Sequence, residues 1–186
     1  DNYRMSPYKN NIYGAWTKRG GNYEIFANRS TNGYVSYSAD ILLSDVGFGQ
    51  GTSIATGING EVYICWAKSM DADWDAESLG FAKSTNGGTI YTTSTPFNYD
   101  GIRVGAGGVN PIFNNTQVTD FPAIAVDRSC NSTRGRIFVV YPEKENGNGK
   151  AIIRVRYSDN QGSTWSAAQT VSIPNGRQNW QPAIAV

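Results

Sequence analysis

The chain has 186 residues, with 16 Lys and Arg against 15 Asp and Glu, and no histidine. That length allows one domain or part of one. The near-zero net charge gives no electrostatic case for nucleic acid or an anionic membrane surface, and the lack of histidine excludes imidazole zinc sites and nucleophile–histidine relays. Charged residues make up only 17%, while Gly (21), Tyr (11) and Trp (5) are plentiful. This is the composition of β-sheets joined by tight turns, not of a helical bundle or a disordered tail. No apolar run approaches the roughly 20 residues a membrane helix needs.

The chain opens on Asp1 without Met or an apolar leader, which reads as a mature or trimmed product. Sequons at Asn28, Asn114 and Asn131 point to export, hence a secreted or extracellular protein. Cys65 and Cys130 can pair or stay free, and Cys65, set in an apolar run, reads as a small buried hydrophobe.

Taken in order, the predicted strands recur. IYGAW (12–16), VYICW (62–66) and IFVVY (137–141) are one type, and TSIAT (52–56), PAIAV (122–126) and PAIAV (182–186) precede or would precede it. A third type, near 25–27, 79–82 and 152–156, runs into a serine and a polar, glycine-bearing turn. A short polar strand then follows, expected at 34–37 and 91–94. Ser30, Ser84 and Ser158 stand 54 and 74 residues apart (84 − 30 and 158 − 84). Four short strands per unit of about 40–50 residues plus loops is the pattern of a β-propeller blade. The expected fold is therefore all-β, a propeller of four-stranded antiparallel blades, about three per chain. The blades span 8–44, 51–95 and 121–172, with 181–186 as the innermost strand of a further or shared blade.

The turn at 158–165 (SDNQGSTW) matches the Asp-box, S-x-D-x-G-x-T-W, with the acid, Asp159, one place early; Ser158, Gly162 and Trp165 complete it. Ser84, Asn86 and Gly88 form a degenerate copy in which Ile90 stands for the aromatic, and Ser30, Asn32 and Gly33 a shortened one. With the repeated strands, the whole chain resembles the sialidase-like (BNR/Asp-box) β-propellers. The boxes themselves read as structural: a side chain accepts backbone N–H bonds while Gly supplies a positive φ.

The resemblance implies that the loops joining fourth to first and second to third strands share the ligand-binding face. It also implies a substrate carboxylate held by arginines, a tyrosine nucleophile and an aspartate acid/base, in an exo-glycosidase of sialidase type. YRMSP (3–7) is similar to the family's F/Y-R-I-P segment with one residue inserted. Arg103 and Arg177 are the expected loop arginines and Arg19 a further one; Asp100, Asp45 and Tyr99 are candidates for acid and nucleophile. Trp74 and Trp180 are candidates for stacking on sugar. Asp71, Asp73, Asp75 and Glu77 alternate on one loop and can converge on a hard cation such as Ca²⁺, although the spacing lacks the glycine and terminal glutamate of an EF-hand loop. The insertion at 95–120 is long enough to be functional.

Two functions stay open: a glycan-active or glycan-binding propeller, and a non-catalytic scaffold for protein interaction or assembly. Three blades fall below the roughly four to eight of known propellers. The expected partner is a second copy completing a six-bladed ring head to tail, or the remainder of a longer chain.

Overall fold

The computed structural model describes residues 1–44, 47–70, 75–102, 118–145, 150–172 and 178–186. Among them there is no α-helix, and hence none long and apolar enough to cross a membrane. Eleven strands form three antiparallel sheets. Sheet 1 is β1 (Ile12–Lys18), β2 (Glu24–Ser30) and β3 (Ile41–Leu42). Sheet 2 runs in sequence order through β4 (Phe48–Thr56), β5 (Val62–Ser69), β6 (Ser78–Ser84) and β7 (Thr92–Ser94). Sheet 3 does the same through β8 (Ala123–Val126), β9 (Ile137–Lys144), β10 (Ala151–Ser158) and β11 (Gln169–Thr170).

Apolar alternation decides how the sheets stack. Successive side chains of a strand point to opposite faces. On β5, Val62, Ile64 and Trp66 pack with Ile25, Ala27 and Leu43 of sheet 1. The intervening Tyr63, Cys65 and Ala67 pack with Ile124, Val126, Ile137, Val139 and Tyr141 of sheet 3. Sheet 2 is thus covered on both faces, and for that reason every residue of β5 is buried. A strand buried twice reads in sequence as an unbroken apolar run, which VYICWA is. The Cys65 thiol is free and fully buried, and burial pushes its pKa up; Cys130 is free and exposed.

β4 lies beside β1 on one side and beside β8 on the other. Side-chain hydroxyls sew them together: Thr52 Oγ1 donates to the Ala15 carbonyl at 3.0 Å, and Ser53 Oγ accepts from Ile124 N at 3.2 Å. In β4 the register slips between Gln50 and Ser53. Gly51 sits at this bulge with φ +66°, and a Cβ there would lie 2.1 Å from the Phe121 ring, so only glycine fits.

The three Ser-x-Asn turns are built alike, and their register corrects the sequence reading. In the third, Ser158 Oγ donates to Asn160 Oδ1 (3.0 Å), Gly162 N donates to Ser158 Oγ (2.9 Å) and Thr164 N donates to Asn160 Oδ1 (2.8 Å). Around Ser84 the same bonds run to Asn86, from Gly88 N to Ser84 Oγ (2.9 Å) and from Ile90 N to Asn86 Oδ1 (3.0 Å). Around Ser30 they run to Asn32, from Tyr34 N (2.9 Å) and Ser36 N (3.1 Å).

The anchoring residue is therefore Asn160, two after the serine, and not Asp159. Asp159 instead forms a two-pronged ion pair with Arg136 (2.7 and 3.1 Å). Read as S-x-N-x-G-x-T-W, the motif has no shifted spacing. The final aromatic of the second turn is Tyr91, which packs on the sheet 1–sheet 2 core, while Ile90 is exposed. The first turn is full length, 30–37. Two consecutive residues hold positive φ in each: Gly33 and Tyr34, Gly87 and Gly88, Gln161 and Gly162.

Because the first turn runs to Tyr37, the outer strand expected at 34–37 lies instead at Ile41–Leu42. Residues 181–186 carry the innermost-strand string but pair with no described strand.

Candidate functional site

The two loop features singled out in the sequence meet. The end of the β5–β6 connection and the start of the β7–β8 connection converge on Lys144, the last residue of β9. Its Nζ lies 2.8 Å from Asp75 Oδ2 and 3.1 Å from Asp100 Oδ1. Backbone bonds fix both acids in place. Lys144 N donates to the Asp100 carbonyl (2.8 Å), Gly101 N to the Ala76 carbonyl (2.7 Å) and Tyr99 N to the Glu77 carbonyl (3.0 Å). Residues 97–101 thereby run as a strap along the entry to β6, and Ser78 and Asn98 form a bridge.

Asp120 closes the cluster from below. It is buried, and its Oδ2 accepts from Ala76 N at 2.7 Å. A side chain at position 101 would collide with this carboxylate, since a Cβ on Gly101 would stand 2.4 Å from Asp120 Oδ2.

The acids differ in environment. Asp100 is half exposed. Asp75 is mostly covered, and its Oδ1 is buried with no hydrogen-bond partner among the described residues. Burial, only partly offset by Lys144 and reinforced by Asp120 and Asp100, pushes the Asp75 carboxyl up to about 6. Burial pulls the Lys144 ammonium down, but its bonds to Asp75 and Asp100 outweigh that and leave it raised. A carboxyl titrating near neutrality beside a fixed ammonium and a second carboxyl can take or give a proton.

Tyr99 is placed differently from the exposed nucleophile the resemblance implies. It is buried against Tyr141, with ring centroids 4.7 Å apart, and its hydroxyl donates to the Asp120 carbonyl at 3.2 Å. Burial, with the Asp120 charge added, holds its pKa well above the ordinary value. As placed, it is a wedge under the cluster.

Of the other sequence candidates, Arg19 stands exposed in the β1–β2 turn and Trp180 is partly exposed in the segment after β11. Arg103, Arg177, Trp74, Asp45, Asp71 and Asp73 lie outside the described residues. Glu77 is exposed. Among the described residues no group of three His, Cys, Asp or Glu side chains could hold a metal ion.

Lys144, Asp120 and Asn160 were missed in the sequence. The one available signal for Lys144 was its position at the end of a strongly apolar strand, where the chain leaves for a loop.

A cavity of about 690 Å³ lies at the opposite end of the sheets, where β1 begins and β4 and β8 finish. Its one arginine, Arg128, is already bonded to Asn2 (2.8 Å) and Thr56 (3.3 Å).

No family model and no curated protein matches the sequence. Among solved structures, the chain is similar to a leech intramolecular trans-sialidase complexed with 2,7-anhydro-Neu5Ac. That likeness has 18% identity and a TM-score of 0.47, over 80% of this chain and 19% of that one. It is also similar to the intramolecular trans-sialidase of Ruminococcus gnavus in complex with oseltamivir carboxylate. There the identity is 17% and the TM-score 0.46, over 82% of this chain and 27% of that one. The chain thus spans between a fifth and about a quarter of these proteins. At that level the likeness decides nothing about this chain's chemistry.

Proposed function

We propose that the chain supplies three blades of an Asp-box β-propeller that binds or acts on glycans through its loop face. The observation that supports this is the repetition, in three stacked sheets, of one hydrogen-bonded Ser-x-Asn turn between the third and outer strands. Asp-box propellers resemble one another in this turn, and it leaves the opposite loops free for ligands.

On that face the Asp75–Lys144–Asp100 cluster is the proton-handling candidate. Arg103, Arg177 and Arg19 are proposed to take a ligand carboxylate, Asp45 to bind alongside them, and Trp74 and Trp180 to stack on a sugar ring. The Asp75 carboxylate of the expected Ca²⁺ set is paired with Lys144; Ca²⁺ held by the remaining Asp71, Asp73 and Glu77 belongs to the same proposal, as does an extracellular location.

The test is turnover of fluorogenic sialosides and a panel of aryl glycosides, alongside binding to a glycan array. Binding or turnover that is lost in Arg103→Ala and Arg177→Ala supports the reading. A protein that neither binds a glycan nor turns over a glycoside refutes it.

A second reading, an assembly scaffold, is favoured by one observation. Sheet 1 turns an apolar face away from sheet 2, with Trp16 stacked on Phe26 at 6.2 Å and Ile12 and Leu42 exposed beside them. Sheet 3 does the same with Phe138 and Tyr157, 6.3 Å apart. A second copy or further chain is proposed to cover these two faces, as sheet 2 covers the inner faces of sheets 1 and 3. A mass in solution of twice the chain's 20.2 kDa would support the copy.

A further inference from the structure

Between sheets 2 and 3, away from the loop face, a groove of about 290 Å³ separates the outer strand β7 from the third Ser-x-Asn turn. Its floor is aromatic and fixed. Phe81 and Trp165 meet edge to face at 5.5 Å, and the indole N–H is already spent on the Gly162 carbonyl at 3.1 Å, so the ring presents carbon to the groove. Gly162 keeps the turn close, since a Cβ there would stand 2.5 Å from the Phe81 ring.

The walls are donors. Ser94 comes from β7, and Ser163 and Thr164 come from the turn. The hydroxyls of Ser94 and Ser163 bond to no described residue. Thr164 Oγ1 accepts from Asn160 Nδ2 at 2.8 Å, which leaves its own proton to give. Lys83 is the cation of the groove, and it makes no ion pair with any described residue.

We propose that this groove is a second glycan site, which holds one sugar residue bearing a carboxylate, such as a uronic acid. An apolar floor suits the C–H face of a pyranose, hydroxyl walls suit its oxygens, and an unpaired ammonium suits an anionic substituent. The volume lies at the low end of small-molecule sites, at about 300 Å³, so it accommodates one residue of a chain and not several. The proposal stands apart from the loop-face reading and does not depend on it.

The test is a titration of the isotopically labelled chain with trigalacturonate and with neutral galactotriose, followed by amide and indole shifts in NMR. The acidic trimer is expected to move Trp165, Ser94 and Thr164. Lys83→Gln is expected to weaken it about tenfold, the effect of one charge-assisted hydrogen bond. Lys83→Arg, which keeps the charge, should retain most of the affinity. Lys144→Met and Arg103→Ala should leave these shifts untouched, which separates this site from the loop face. Equal binding of the neutral trimer, no shift at Trp165, or unchanged affinity in Lys83→Gln would each overturn the proposal.

Discussion

Replacing Asn160 by alanine removes three hydrogen bonds at once: those accepted from Ser158 Oγ and Thr164 N, and that donated to Thr164 Oγ1. A net hydrogen bond contributes about 0.5–1.5 kcal/mol, and the outer two bonds here are exposed, so the expected loss is about 2–3 kcal/mol. The neighbouring Asp159→Asn removes a charge whose side chain is 57% exposed and which, among the described residues, pairs with Arg136. Exposed ion pairs contribute about 0–1 kcal/mol, so this variant should be nearly neutral. Urea unfolding of both variants, monitored by tryptophan fluorescence, measures the difference, and the midpoints should separate clearly while the slopes agree. The assignment of the turn register fails if Asp159→Asn costs as much as Asn160→Ala. A parallel loss in Asn86→Ala would extend the result to the second turn, where Asn86 Oδ1 accepts from Ser84 Oγ and from Thr89 and Ile90 N.

Two further outcomes follow from the burial pattern. Asp75 holds its proton more tightly folded than unfolded, since burial raises it to about 6. Its contribution to stability is therefore full below about pH 4, the unfolded value, and is lost as pH rises through 6. Relative to wild type, Asp75→Asn should gain stability between pH 4 and 7, and a difference that stays flat across that range contradicts the placement. A thiol reagent should label Cys130 promptly and leave Cys65 unreactive until the chain is denatured, giving one thiol native and two unfolded; labelling of both in the native state would refute the burial of β5.

Much of the architecture was legible in the residues because burial on both faces leaves a simple trace. VYICW is apolar at every position, and in the structure β5 faces sheets 1 and 3; IFVVY carries the same string, but β9 meets only sheet 2, with Ile137, Val139 and Tyr141, and turns Phe138 away from it. The turns were harder. Asp159 sits one place before Asn160, and an acid draws the eye as the anchor, but only the second residue after the serine can reach both the hydroxyl and the N–H four residues further on. The outer strands β3 and β11 were less visible still, since they have two residues each. The Lys144 cluster left no local pattern. Its members come from positions 75, 100, 120 and 144, and only the stacking of sheet 3 on sheet 2 brings them together.

Proximity across the central strand offers the sharpest check on the stacked sheets. Methyl-resolved NOEs from β5 should divide by residue parity, with Ile64 reaching Ile25 and Leu43 on one side and the Tyr63 ring reaching Ile137 and Val139 on the other. Neighbours drawn from a single sheet for both sets, or an absence of contacts to sheet 1, would contradict the arrangement.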